Sequence, residues 1–388
     1  MVGNRRLRPS SVILVALAAA LPPSDTAVAR LVGAPPPTAT VVASLLYSGR
    51  HRSVGWLDVW PLGTKLSRLT ARPPLSAQRS DLVPTWSPDG RRVAFVRRTP
   101  AGSELYTIGR DGSGLARVTG VPRAAAAASI AWSVDGPRLA FDRYRRLECR
   151  AKKPARLRLT IASAAGLHDI DALPRPDSRA FLESVRWLPD GKRLSYIVEK
   201  WFSAGCEGHA GDYEALLYVI GSDGRGRKLV ARALVFFGRD WSADSRTLAY
   251  VAATGSGGCD IAVVRDDGSA RRILRHDDSD CLWDVGWGPD SATIAAATFD
   301  HLDVIEVQTN RSRTLLRWRE TRVQGRILGF SPEGEWVAVL QPFGVDSHWR
   351  TTFARVALVP LSNGTSNTYN LRPEAARESL DDFDLTFR

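Results

Sequence analysis

Short apolar runs divided by tight polar turns fill the chain from about Val41 onward. The stretch Leu82 to Gly120 shows the pattern most cleanly. Its runs are Leu82-Val83-Pro84-Thr85-Trp86, Arg92-Val93-Ala94-Phe95-Val96, Glu104-Leu105-Tyr106-Thr107-Ile108 and Leu115 to Thr119. β-Branched and aromatic residues dominate them, as a pleated, half-buried surface favours. Between them lie Pro88-Asp89-Gly90 and Asp111-Gly112. There the fixed φ of proline and the positive φ tolerated by glycine set tight turns. The pattern predicts four short strands.

An aromatic residue leading into such a turn recurs. Trp86, Trp132, Trp187, Trp241, Trp287 and Phe330 each precede a turn like Ser-Pro-Asp-Gly, at intervals of 43 to 55 residues. A short apolar strand follows each turn, for example Val93 to Val96 and Leu248 to Val251, and a third strand appears later in the unit, as at Ile261 to Val264. Four strands at this period predict an all-β fold, a β-propeller of four-stranded blades. The six motifs resemble the TolB-type, WD40-like propeller repeat, and the resemblance covers nearly everything from Val41 on. Val41 to Thr70 lacks the aromatic anchor and holds only three strand-like runs. The tail Leu380 to Phe387 alternates apolar and acidic residues and is expected to supply the missing strand, which leaves no open edge. That gives seven blades; a six-bladed ring with the N-terminal segment packed alongside is the alternative.

Upstream of the repeat, Arg5, Arg6 and Arg8 precede an apolar stretch, Ser11 to Leu21, and a small-x-small site at Ala27-Val28-Ala29. Residues 1–29 therefore read as a signal peptide, residues 30–40 as a Pro/Ala-rich linker and residues 41–388 as a single propeller domain. No further stretch reaches membrane-spanning length. The expected location is outside the cytoplasm: periplasmic, bound to the cell wall, or secreted. A net charge of +12 favours anionic partners.

Propeller topology places the B–C loops and the D–A connections on one face and the A–B turns on the other. Four B–C loops are long: Arg143 to Arg156, Lys200 to Tyr213, Ala253 to Cys259 and Phe343 to Thr351. Long loops on a rigid scaffold carry binding residues. The candidates are Arg143, Arg145, Arg146, Arg150, Lys152, Lys153 and Arg156, whose forked or point cations suit carboxylate and phosphate. Trp201, Phe202 and Trp349 add aromatic contacts. Arg97 and Arg98 belong to the same face, and His276-Asp277-Asp278-Ser279-Asp280 forms an acidic connection across the ring. All four cysteines also fall here, and an even count in an exported chain implies disulfides. Adjacency pairs Cys149 with Cys206 and Cys259 with Cys281; the other two pairings stay open.

Signatures of chemistry are weak. The sequence has no Gly-x-Ser-x-Gly elbow, no His-Glu-x-x-His pair and no phosphate-binding glycine loop. No catalytic residue, metal ligand or cofactor is assigned from sequence. The expectation is a non-catalytic, monomeric exported propeller that binds an envelope protein or an anionic polymer, with nucleic acid disfavoured. The alternative is a lyase or hydrolase acting on an anionic polysaccharide, a chemistry found among TolB-like propellers, through the central channel or the long-loop face.

Overall fold

Each repeat folds into a four-stranded antiparallel sheet, and seven of these blades stand in a ring as a β-propeller. The computed structural model describes residues 36–48, 53–118, 125–126, 129–145, 158–170, 180–201, 213–254, 258–278, 284–298, 300–318, 325–345, 351–362, 364–371 and 378–387. All of these belong to one compact unit, residues 36–388. The signal segment lies outside the described residues.

Blade 2 is the regular copy, with strands Ser80–Trp86, Arg92–Thr99, Gly102–Gly109 and Ala116–Arg117. The innermost strands of blades 3 to 7 are Ile130–Trp132, Ala180–Trp187, Phe236–Trp241, Asp284–Trp287 and Arg326–Phe330. These A strands touch their counterparts in neighbouring blades, so they line the axis. Blade 1 is composite. Ala39–Ser48, Ser53–Pro61 and Ser67–Arg68 come from the start of the domain. Its A strand is the tail, Glu378–Phe387, which pairs with Ala39–Ser48 from Ala39↔Phe387 to Tyr47↔Glu378. The ring thus closes between the two ends of one chain.

The anchor aromatics wedge between blades. Trp86 is 6% exposed and packs with Val42, Leu57 and Val59 of blade 1 as well as Val93 and Phe95 of its own blade. Trp187 packs against Leu159 and Ile161 of blade 3, and Trp241 against Leu217 and Val219 of blade 4. Three of the indole N–H groups reach backward along the ring, while those of Trp86 and Trp287 are buried without a hydrogen-bond partner among the described residues. Trp132 donates to the Thr85 carbonyl at 3.1 Å, Trp187 to that of Ala131 at 3.2 Å, and Trp241 to Ser195 Oγ at 2.9 Å. Tryptophan suits this place because it buries a large apolar area and brings one donor that needs a partner.

The turns that follow the anchors also link blades. Ser245 and Ser291 stand where other copies have glycine, at φ 61° and 55°. The side chain offsets the strain of the left-handed backbone by accepting a hydrogen bond from the preceding blade. Asp190 N donates to Ser245 Oγ at 2.8 Å, and Asp244 N to Ser291 Oγ at 3.2 Å.

Candidate binding site in the central channel

An inner strand is a sheet edge, so its channel-side N–H groups have no strand partner. Aspartates of the neighbouring blade fill three of these places. Asp240 Oδ2 accepts from Trp287 N at 2.9 Å, Asp284 Oδ2 from Ile327 N at 2.9 Å, and Asp384 Oδ2 from Trp86 N at 2.6 Å. Asp284 Oδ1 and Asp384 Oδ1 also accept from the next residue's N–H, Val285 and Leu385. Blades 5 to 6, 6 to 7 and 1 to 2 are clasped in this way.

Most inner strands carry a bulge just ahead of the anchor. Pairing register shifts between Leu82 and Thr85, Glu183 and Arg186, Phe236 and Arg239, and Ile327 and Gly329. Such bulges re-aim side chains at the rims of rings and barrels. Val83 and Ser184 lie within them at φ 53° and 57°. Arg186 follows one of these bulges, and its guanidinium feels the charges of Asp240, Asp284 and Asp384 from three different blades. Only a position near the axis allows that. Its one ion contact among the described residues is loose, 3.8 Å to Asp240 Oδ1. A cavity of about 650 Å³ opens between blades 4 and 7, lined by Arg186, Asp240, Asp284, Arg326 and the small residues Gly286 and Gly329.

Burial raises the pKa of all three aspartates. Asp384 is pushed up to about 6, and Asp240 and Asp284 are also raised, against the lowering effect of Arg186 and the backbone donors. Although 38% of the Asp240 side chain faces the channel, protein surrounds that channel on every side, so the carboxylate is hydrated far less than on an open surface. A carboxyl whose pKa is higher in the folded than in the unfolded chain binds its proton more tightly when folded, and its contribution to stability falls as pH rises from about 4 to 6. Asp384→Asn is therefore expected to gain about 2 kcal/mol relative to the parent between pH 4 and pH 8. Urea denaturation at both pH values measures this, and an unchanged difference would contradict the raised pKa.

Chains of known structure share this architecture. They include a TolB from Acinetobacter baumannii, 15% identical over 72% of this chain and 64% of that one, with a TM-score of 0.46. An oligogalacturonate lyase from Vibrio parahaemolyticus is 13% identical over 80% of this chain and 84% of that one, with a TM-score of 0.56. A puromycin-hydrolyzing peptidase of Mycobacterium tuberculosis is 15% identical over 86% of this chain and 54% of that one, with a TM-score of 0.57. For the lyase and the peptidase the likeness is one of fold. The present chain thus spans less than two thirds of that TolB chain and about half of the peptidase. No family model matches the chain, and no curated protein sequence does.

On the loop face, strands ending at Arg145, Trp201, Ala253 and Val345 put the four long loops at B–C positions. Arg146, Arg150, Lys152, Lys153, Arg156, Phe202, Trp349, Cys149, Cys206 and Cys281 lie outside the described residues, and of Arg145 and Trp201 only the backbone is described. Arg143 is held by Asp169 Oδ2 at 2.7 Å, and Arg158 by the same oxygen at 2.6 Å. Asp169 is partly buried, which raises its pKa, but the Thr160 hydroxyl and the two guanidinium groups outweigh this and hold it below the usual range. Arg97 is committed inward. Its Nε and Nη2 donate to the fully buried Asp81 carboxylate at 2.7 and 2.8 Å. Arg98 is exposed and has no ion pair among the described residues. In the acidic connection, His276 has Nδ1 2.8 Å from Asp260 and Nε2 2.8 Å from Asp278, and Asp280 lies outside the described residues. Cys259 is buried and disulfide-bonded. Of the histidines, His168, His276 and His301 are described, all on C or D strands away from the axis. No group of three or more metal-ligating side chains occurs among the described residues.

The channel residues escaped the sequence reading. Their signal was nonetheless present: Arg186 and Asp240 each directly precede an anchor tryptophan, on the strand that apolar burial should claim most fully.

Proposed function

We propose that the chain is an exported, non-catalytic propeller that binds an anionic polymer or an acidic envelope protein through its long-loop face. One observation carries the reading. The basic loop 146–157 is rooted between Arg143 and Arg158, and both of these cations share the single carboxylate of Asp169. The root therefore keeps one positive charge in excess, and the loop sequence adds five cations, Arg146, Arg150, Lys152, Lys153 and Arg156, against the single acid Glu148. No cofactor enters this reading. Cys259 paired with Cys281, and Cys149 with Cys206, would brace the same face.

Binding of the full chain to immobilised alginate, a uronate polymer, tests this against neutral dextran at low and physiological salt. The expected result is retention on alginate only, weakened by salt because exposed charges are screened within a Debye length of about 8 Å. Reversing Lys152 and Lys153 to Glu is expected to weaken retention several-fold with no change in melting temperature. Equal retention on both matrices, or indifference to the reversal, would overturn the proposal.

A second reading rests on Asp384 and Asp240. Carboxyls of raised pKa in a cleft beside an arginine are where general acids are found, which keeps a lyase or hydrolase of anionic polysaccharides in view. Release of unsaturated or reducing ends from alginate or pectate, lost in Asp384→Asn, would establish it.

A further inference from the structure

We infer that the channel cavity between blades 4 and 7 is a binding site for a small carboxylate carrying hydrogen-bond donors beside its acid group. This goes beyond the loop-face reading and does not depend on it. Three observations meet here. First, Arg186 makes no hydrogen bond to any described residue; its nearest charge, Asp240 Oδ1, stands off at 3.8 Å. Half of its side chain is open to the cavity. Its N–H donors thus have no fixed acceptor among the described residues, whereas Arg97 elsewhere is engaged through two donors on Asp81. A planar guanidinium in that state, inside a concave site, matches a carboxylate in two parallel hydrogen bonds.

Second, the space beside it is real. The cavity of about 650 Å³ falls within the range of small-molecule sites. Gly329, on the inner strand of blade 7, leaves it open where a side chain would enter, since only Phe387 Cε2 lies within 4.0 Å of the place a β-carbon would take. Arg326, exposed at the start of the blade 7 inner strand, lines the same cavity and gives an acid group a second cation.

Third, the surrounding acceptors are fixed. Asp240 and Asp284, which line the cavity, each use one lone pair of Oδ2 on a backbone N–H, which holds the carboxylates in place. Each carboxylate oxygen has two lone pairs, so acceptor capacity is left for a ligand. A bare anion would meet these carboxylates unfavourably; an anion flanked by an amine or hydroxyls would satisfy both signs of charge. Amino acids or peptides and hydroxy acids are the two sources of that chemistry.

The probes are glycylglycine, gluconate and propionate, titrated into the full chain by calorimetry. Either or both of the first two should bind, with propionate, which lacks the donors, at least tenfold weaker. Glycylglycine alone would identify the amine source and gluconate alone the hydroxyl source. Arg186→Gln should weaken binding tenfold or more, and Asp240→Asn should weaken it without abolishing it. Should Arg186→Gln fail to fold, Arg326→Gln at the exposed end of the cavity should still lower affinity several-fold. No heat with any probe, propionate binding as tightly as the others, or unchanged binding in the variants would overturn the inference. Reversing Lys152 and Lys153 to Glu should leave the affinity for these probes unchanged, and Arg186→Gln should leave intact the salt-sensitive retention on alginate that depends on those lysines, so the two readings fail separately.

Discussion

Removing the last strand, from Glu378 to the end of the chain, is expected to leave a polypeptide that does not fold cooperatively. The strand is the innermost of blade 1 and pairs with Ala39–Ser48 along nearly its whole length. Without it, that neighbour becomes a bare sheet edge facing the channel, a template for aggregation. The core shared by blades 7 and 1, where Leu385 packs near Val41, Trp56 and Trp336, would open to water. Trp86 N would lose Asp384. At about 1 kcal/mol for each backbone hydrogen bond, together with the apolar surface exposed, the loss approaches the 5–15 kcal/mol that holds a typical domain together. A control separates ring closure from loss of sequence. Ala39 lies opposite Phe387 in an antiparallel pair, so a short turn can join tail to head, as an A–B turn does in every other blade. A permuted chain beginning at Glu378 and running through such a turn into Ala39 should fold with near-parental stability. Circular dichroism and a urea transition decide the matter: a truncated chain with an unchanged midpoint would show that the tail does not close the ring.

Most of this scaffold was legible because its determinants are local. An aromatic, a turn and a β-branched run state a blade without reference to any distant residue, and six copies make the statement redundant. Even the composite blade was readable, since an open edge is costly and only the alternating tail could cover it. The channel was not readable in the same way. Asp384 matters because it meets Trp86, nearly 300 positions away, and Arg186 because blades 1, 5 and 6 each point a carboxylate toward it. In sequence each is an isolated charge. Arg97 shows the converse: it sits beside the exposed Arg98 and reads as part of a basic patch, but alternation along the strand turns it inward to Asp81.

A close approach between the inner strands of blades 5 and 6 sets the second large effect. Gly238 in blade 5 faces the start of the blade 6 inner strand, and a β-carbon there would come within 2.5 Å of Asp284 Cα and 2.7 Å of Val285 N, besides striking Asp284 Oδ1. These are backbone atoms or atoms tied to backbone, and no side-chain rotation relieves them. The Asp284 carboxylate is pinned by Val285 N and Ile327 N, so displacing it also breaks the clasp from blade 6 to blade 7. Gly238→Ala is expected to cost about 3 kcal/mol, the upper end for overpacking, because strain and a lost hydrogen bond combine. Gly224→Ala supplies the contrast. That residue has φ 80° but only Ile170 Cγ2 nearby, at 3.6 Å, so the left-handed backbone alone should cost about 1 kcal/mol. The expected order is the reverse of what conformational freedom alone would give, since Gly238, unlike Gly224, is not held at positive φ. Urea midpoints at constant slope measure both variants. If Gly224→Ala proved the more damaging, inner-strand contact between blades 5 and 6 would not be what requires glycine at position 238.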